Sequence, residues 1–206
     1  NVEQTSLLLG PQYREGRVQV GVPFAFNYSR LGSEDYGWAV GGAPEVRYAA
    51  GDRVLLIASG LGQATEYWQR PERDGSIWSV HAAVRYSLSE KVYIEAGYRH
   101  TREDTRGGFL DNDLDAVHIA LYAEIPWEIA IFVRPTIAQN GYDEREAAFP
   151  RSRDDDRVTL DVNVSREIFH TGFFMSVGYT HTDNDSNLPL FEFERDQVVV
   201  QISKDF

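Results

Sequence analysis

The 206-residue chain contains no cysteine. That excludes a disulfide framework, a thiolate metal site and a cysteine nucleophile. Long apolar runs are absent too, and no stretch approaches the roughly 18 apolar residues that a transmembrane helix needs. Cations are in deficit: 20 Lys and Arg stand against 32 Asp and Glu, for a net charge of −12. A protein that tracks nucleic-acid phosphates depends on clustered Lys and Arg, so no nucleic-acid partner is expected. There is no HExxH segment and no close His pair to suggest zinc, and no GxGxxG or Walker spacing for a nucleotide. No cofactor is therefore expected. The chain starts at Asn1 without a leader-like segment, which suggests that it was processed or cut from a longer protein.

Glycine (17), tyrosine (11) and phenylalanine (11) are plentiful. Mean hydropathy is −0.40, a value that suits a soluble protein and equally a membrane barrel, where only alternate residues meet lipid. Alternation is more informative. In 17–28, Val18, Val20, Val22, Phe24, Phe26 and Tyr28 oppose Gln19, Gly21, Pro23, Ala25 and Asn27. In 116–125, Val117, Ile119, Leu121, Ala123 and Ile125 oppose Ala116, His118, Ala120, Tyr122 and Glu124. Segments 78–86, 92–99 and 158–165 repeat the pattern. A period of two means strands with one apolar face.

Three features favour an outward apolar face. The polar face is rich in small residues. Aromatics sit near the ends of the apolar stripes, as Tyr13, Phe26, Tyr28, Trp38, Tyr48, Trp78, Tyr86, Tyr98 and Tyr179. Membrane barrels carry such girdles at both interfaces. The chain also ends on Phe206, preceded at period two by Ile202, Val200 and Val198, with Lys204 placed where it can snorkel. Phe206 reads as an insertion signal for the outer-membrane assembly machinery. The expected fold is all-β: an antiparallel transmembrane β-barrel of the bacterial outer membrane, occupying 1–206 as one domain. A soluble sandwich or lipocalin-like barrel, apolar inside, is the alternative.

About eleven strands are expected: 5–14, 17–28, 37–49, 53–66, 77–88, 91–102, 114–125, 128–139, 157–167, 173–182 and 196–206. Short turns are expected near Glu15–Gly16, Ala50–Asp52, Ser89–Glu90, Pro126–Trp127 and His170–Gly172. Longer polar loops are expected at 30–36, 69–75, 103–113, 141–156 and 183–195, the mixed charges of 141–156 reading as solvated surface. Bacterial barrels have even strand counts. An odd count ending in the periplasm implies an odd number of strands before Asn1, in a barrel of 12 to 14 strands. Pro11, Pro23, Pro44 and Pro135 fall inside expected strands, and each demands a bulge, an end or a shifted boundary.

The segment from Gly172-Phe173-Phe174 through Tyr179-Thr180-His181, the loop Asp185-Ser186-Asn187-Leu188-Pro189 and Phe191-Glu192-Phe193-Glu194-Arg195, closing on Lys204 and Phe206, carries a pattern. It resembles the final hairpin of the surface lipoprotein assembly modifier family. Leu9-Gly10-Pro11-Gln12-Tyr13-Arg14 is similar to an internal strand pair of that family. The resemblance is strongest over about the last 35 residues. It implies a barrel of about fourteen strands preceded by helical repeats that are not in this sequence. It also implies a role in moving lipoproteins or secreted proteins across the outer membrane, with outer-membrane lipid as a further partner.

Candidate lumen residues are Glu45, Arg47, His81, Arg85, Glu95, Arg99, His118, Tyr122, Glu124, Arg134 and Asp161. Both charge signs recur on adjacent strands, so a ladder of ion pairs is the plain expectation, and a polar path for a substrate the sharper one. His100, His170 and His181 read as interface or loop residues. Catalysis needs a nucleophile beside a base, and no serine or histidine stands in such a spacing, so no enzyme is expected. A passive porin for small solutes is the alternative function, with 141–156 as its inward loop.

Overall fold

A computed structural model describes residues 2–32, 34–168 and 172–204. The first long extended runs are split into pairs of strands: β1 (Val2–Leu9) with β2 (Gln12–Glu15), β3 (Val18–Gly21) with β4 (Phe24–Leu31), and β5 (Glu34–Gly42) with β6 (Glu45–Ala49). Unbroken strands follow: β7 (Val54–Tyr67), β8 (Gly75–Ser89), β9 (Val92–Thr105), β10 (Asn112–Ile125), β11 (Ile129–Tyr142), β12 (Asp154–Ile168), β13 (Phe173–Ser186) and β14 (Phe193–Lys204).

Among the described residues there are thus fourteen strands, not about eleven, and proline explains the difference. Pro11, Pro23 and Pro44 sit at the three breaks, where the missing N–H interrupts the ladder. Their carbonyls still accept, from Val22 at 3.1 Å, Ala43 at 2.9 Å and Gly60 at 2.9 Å respectively. The interruptions therefore form a staggered seam across neighbouring strands. Pro135 acts more locally. The β10–β11 ladder skips it and Arg134, while β11–β12 pairing runs through Pro135 opposite Leu160.

All pairings are antiparallel, in the order β1-β4-β5-β7-β8-β9-β10-β11-β12-β13-β14, with β2, β3 and β6 joining at β7. The expectation of a closed barrel is corrected here. Among the described residues β1 pairs only with β4, β2 only with β3 and β14 only with β13, so the sheet is open. Alternation reports which residues share a face; closure is a separate condition, a ladder between first and last strands. The porin-like reading needs a closed wall and falls with the barrel.

Most strands run about three residues further toward the loop end than expected. Asp113 pairs with Arg102 and Gly141, and Asp155 with Asn140 and Ser186. Short turns at 16–17, 50–53, 90–91 and 126–128 lie at one end of the strands. Loops at 68–74, 106–111, 143–153 and 187–192 lie at the other. Trp127 and Glu128 hold consecutive positive φ angles of 70° and 59°, a left-handed pair that costs about 1–2 kcal/mol per non-glycine residue.

The faces are sharply unequal. Val117, Ile119 and Ile137 on the apolar face are 52, 58 and 58% exposed, whereas Ala83, Ala120 and Ala138 on the polar face are 5, 1 and 9% exposed. Large apolar side chains point away from the rest of the chain, and small ones make room for bulky polar neighbours. A soluble sandwich buries the opposite set. Among the described residues no helix is long and apolar enough to cross a membrane.

Candidate functional site

Strand alternation puts Glu45, Arg47, His81, Arg85, Glu95, Arg99, His118, Tyr122, Glu124, Arg134 and Asp161 on the polar face. Because the sheet is open, this face bounds no closed lumen. Register decides which of them meet. Gly97 pairs with His118 on one side and, on the other, with Ala83, two residues along β8 from His81. With no side chain at Gly97, the rings of His81 and His118 lie over it and stack, centroids 5.6 Å apart and planes 20° apart.

From that pair a line of contacts runs toward the turn end. His118 Nε2 lies 3.4 Å from Glu95 Oε1. Glu95 Oε2 accepts from Arg85 Nε at 2.9 Å and pairs with its Nη2 at 2.8 Å. The Arg85 guanidinium sits 4.1 Å from the Tyr93 ring centroid, and Tyr93 stacks on Tyr122 at 5.0 Å. Tyr122 donates to Glu124 at 3.0 Å. Separately, Arg134 Nη2 pairs with Asp161 at 2.9 Å, and Thr180 donates to the same carboxylate. Arg47 pairs with Glu45 at 2.6 Å within β6. Arg99 lies opposite His81 in the β8–β9 register. The four arginines and four carboxylates of this set balance.

Its chemistry is one of pairing rather than bond breaking. Ser59 Oγ approaches His81 Nδ1 at 3.4 Å, the first contact of a nucleophile–base pair. In a catalytic triad the other imidazole nitrogen is held by an acid. Here His81 Nε2 is buried without a hydrogen-bond partner, and Glu95 turns to His118 instead. Among the described residues no group of three His, Asp or Glu side chains is placed to hold a metal ion.

At the loop end the polar face is covered, by residues that sequence reading treated as solvated. Asp155 is 3% exposed and Asn184 1%. Arg153 pairs with Asp155 and lies 3.9 Å from the Phe191 ring centroid and 4.8 Å from that of Tyr142. Asn184 donates to the Phe191 carbonyl and accepts from Arg157, both at 2.9 Å. Asn187 donates to the Ser152 carbonyl and accepts from the Asp154 N–H, tying loop 187–192 to loop 143–153. The available signal was Asn184 and Asn187 just before Pro189, since Asn side chains replace backbone partners at turns. Asp143, at the base of its loop, is bound by Arg102 at 2.6 Å, and that bond holds its carboxyl below the usual carboxylate range.

On the apolar face, three similar clusters border the loop end. Tyr98 donates to Asp115, which His100 Nδ1 meets at 3.0 Å. Tyr179 donates to Asp196 at 2.6 Å, which His181 Nδ1 meets at 2.9 Å. Tyr28 donates to Asp35, which lies 3.3 Å from Arg30 Nε. His100 and His181 thus stand at a border between apolar and charged surface. His170 and Phe206 lie outside the described residues.

Comparison with known proteins adds a family. A description of surface lipoprotein assembly modifiers matches the sequence from residue 1 to residue 206. The chain belongs to the surface lipoprotein assembly modifier family. It is 23% identical over 142 residues to surface lipoprotein assembly modifier 1 of Haemophilus influenzae (strain ATCC 51907 / DSM 11121 / KW20 / Rd). That match covers 68% of this chain and 29% of the relative, so the chain spans under a third of the protein it resembles. The family is one of assembly factors associated with the outer membrane.

Proposed function

We propose that this chain works in the delivery of lipoproteins to the bacterial cell surface. Its apolar face meets outer-membrane lipid, and its polar face guides the polypeptide. The observation that carries this reading is the family match along the whole chain.

The two faces support it. Exposed Val80, Val84, Ile119 and Ile137 suit hydrocarbon, and the three Tyr–Asp clusters suit an interface, where an aromatic body meets apolar surface and its hydroxyl a polar partner. The polar-face residues, most of their charges paired internally, offer a passing chain few strong traps. Unpaired strand edges are costly in hydrocarbon, at several kcal/mol per unsatisfied backbone group. The reading therefore requires further polypeptide along the free edges of β1, β2 and β14.

The test is surface exposure of a co-expressed, tagged lipoprotein, measured by protease accessibility in intact cells with and without the full-length protein. Display that depends on the protein supports the reading. Equal display in the deletion strain overturns it.

A further inference from the structure

Four connections meet at the loop end around a cavity of about 420 Å³, within the roughly 300–1,000 Å³ typical of ligand pockets. It opens on the polar-face side, since Tyr142, which lines it, shares the parity of Arg134 in β11. Its floor is aromatic: Phe149 packs on Phe191, ring centroids 5.5 Å apart. The floor is fixed before any ligand arrives, because Asn184 holds the Phe191 carbonyl and Asn187 ties the two loops. Its rim carries both charge signs. Arg70, Glu72 and Arg73 come from loop 68–74, and Glu144, Glu146 and Arg151 from loop 143–153. None of these six side chains is in an ion pair among the described residues, though Arg151 donates to the Asn187 carbonyl, whereas Arg153 is committed to Asp155.

We infer that this cavity docks a short polypeptide segment, taking one apolar side chain onto Phe149 and Phe191 while Arg70, Arg73, Glu144 and Glu146 pair with flanking charges of both signs. The rim discriminates between ligand classes. A phosphate or other anion would meet arginines but also the three carboxylates Glu72, Glu144 and Glu146. A neutral glycan would desolvate charges of both signs and neutralise none, which is costly. A polypeptide with an apolar residue between an acidic and a basic one satisfies floor and rim together. The preformed floor lowers the ordering cost of binding, and a single side chain in a desolvated pocket is the usual energetic centre of peptide recognition.

This inference rests on the reading that the protein handles a polypeptide substrate, and the experiment separates the two. A photo-crosslinking phenylalanine analogue replaces Phe149 in the full-length protein, or Trp127 at the opposite, turn end as control. The probe is a co-expressed, affinity-tagged surface lipoprotein. A light-dependent adduct with the lipoprotein from position 149 and none from 127 is expected. In parallel, Leu110→Trp, which fills the cavity, should lower surface display per assembled molecule. If Leu110→Trp alters assembly, the adduct at 149 alone decides. Display that depends on the protein with no adduct at 149, or an adduct only with lipopolysaccharide, overturns the docking site and leaves the delivery role standing. Display independent of the protein overturns the delivery role itself.

Discussion

The two faces of this sheet are built from the same strands and follow opposite rules. On the apolar face large side chains stand exposed, and three Tyr–Asp groupings lie at the loop-end border. On the polar face Ala83, Ala120 and Ala138 are buried, the rings of His81 and His118 lie over Gly97, and most charges meet in pairs. A soluble sheet buries its large apolar residues; this one leaves them out and tucks its small ones in. The difference teaches that the apolar face is shaped for an apolar surrounding and the polar face for precise internal pairing.

The sharpest way to break this comparison is to put the same charge on each face at neighbouring positions. Val162 lies on the apolar face and Asn163 on the polar one. Val162→Arg should cost about 2–4 kcal/mol if it sits at mid-depth in a bilayer and should sharply lower the assembled protein recovered in membranes. Asn163→Arg should be far better tolerated. Equal loss from both substitutions would mean that the faces do not differ in this way.

A somewhat smaller effect is expected where the polar face is packed tightest. A side chain at Gly97 would collide with the His118 ring and crowd His81. Gly97→Val should destabilise the protein by about 1–3 kcal/mol through overpacking, read as a lower denaturant midpoint. His118→Ala in the same chain should recover part of the loss. No recovery would show that the histidine pair does not rest on Gly97.

The smallest effect belongs to the loop end. Asp143 titrates below its ordinary range because Arg102 holds the ionised form. A carboxyl with a depressed folded-state pKa contributes its stabilisation above its unfolded pKa and loses it as pH falls through the folded value. Hydrogen exchange in 143–153 should therefore speed up, relative to the intrinsic rate, only below about pH 4. Asp143→Asn should remove that step, and an unchanged acid response in the variant would rule out the Arg102 contact as its source.

How far the sequence could be read follows from these particulars. Alternation through Val117–Ile125 and Val158–Ser165 located strands and faces because its period is a direct image of the pleat. It could not show closure, since no residue of β1 or β14 carries a mark of being paired or free. The acidic run 154–156 reads as loop, yet lies in the ladder, where Asp155 is buried and paired with Arg153. Pro11, Pro23 and Pro44 were recognised as obstacles, but that their breaks would align across neighbouring strands emerges only from the register. The polar-face residues were legible by parity. Their pairing was not, because Glu95 chooses His118 over His81 by side-chain reach. The burial of Asp155 and Asn184 under loops 143–153 and 187–192 was hidden by their polarity.

The chain's lack of cysteine permits a direct measurement on the central difference. Single cysteines at Val117, Ile119 and Ile137, and at His118, Ala120 and Thr136, would be introduced one at a time into an otherwise cysteine-free full-length protein. Their reaction with a water-soluble maleimide in outer membranes, and again after detergent denaturation, would report which face meets water. Protection at Val117, Ile119 and Ile137 until denaturation, with faster reaction at His118 and Thr136, is the predicted result. Rapid reaction at the three apolar-face positions in intact membranes would contradict the assignment of that face to lipid.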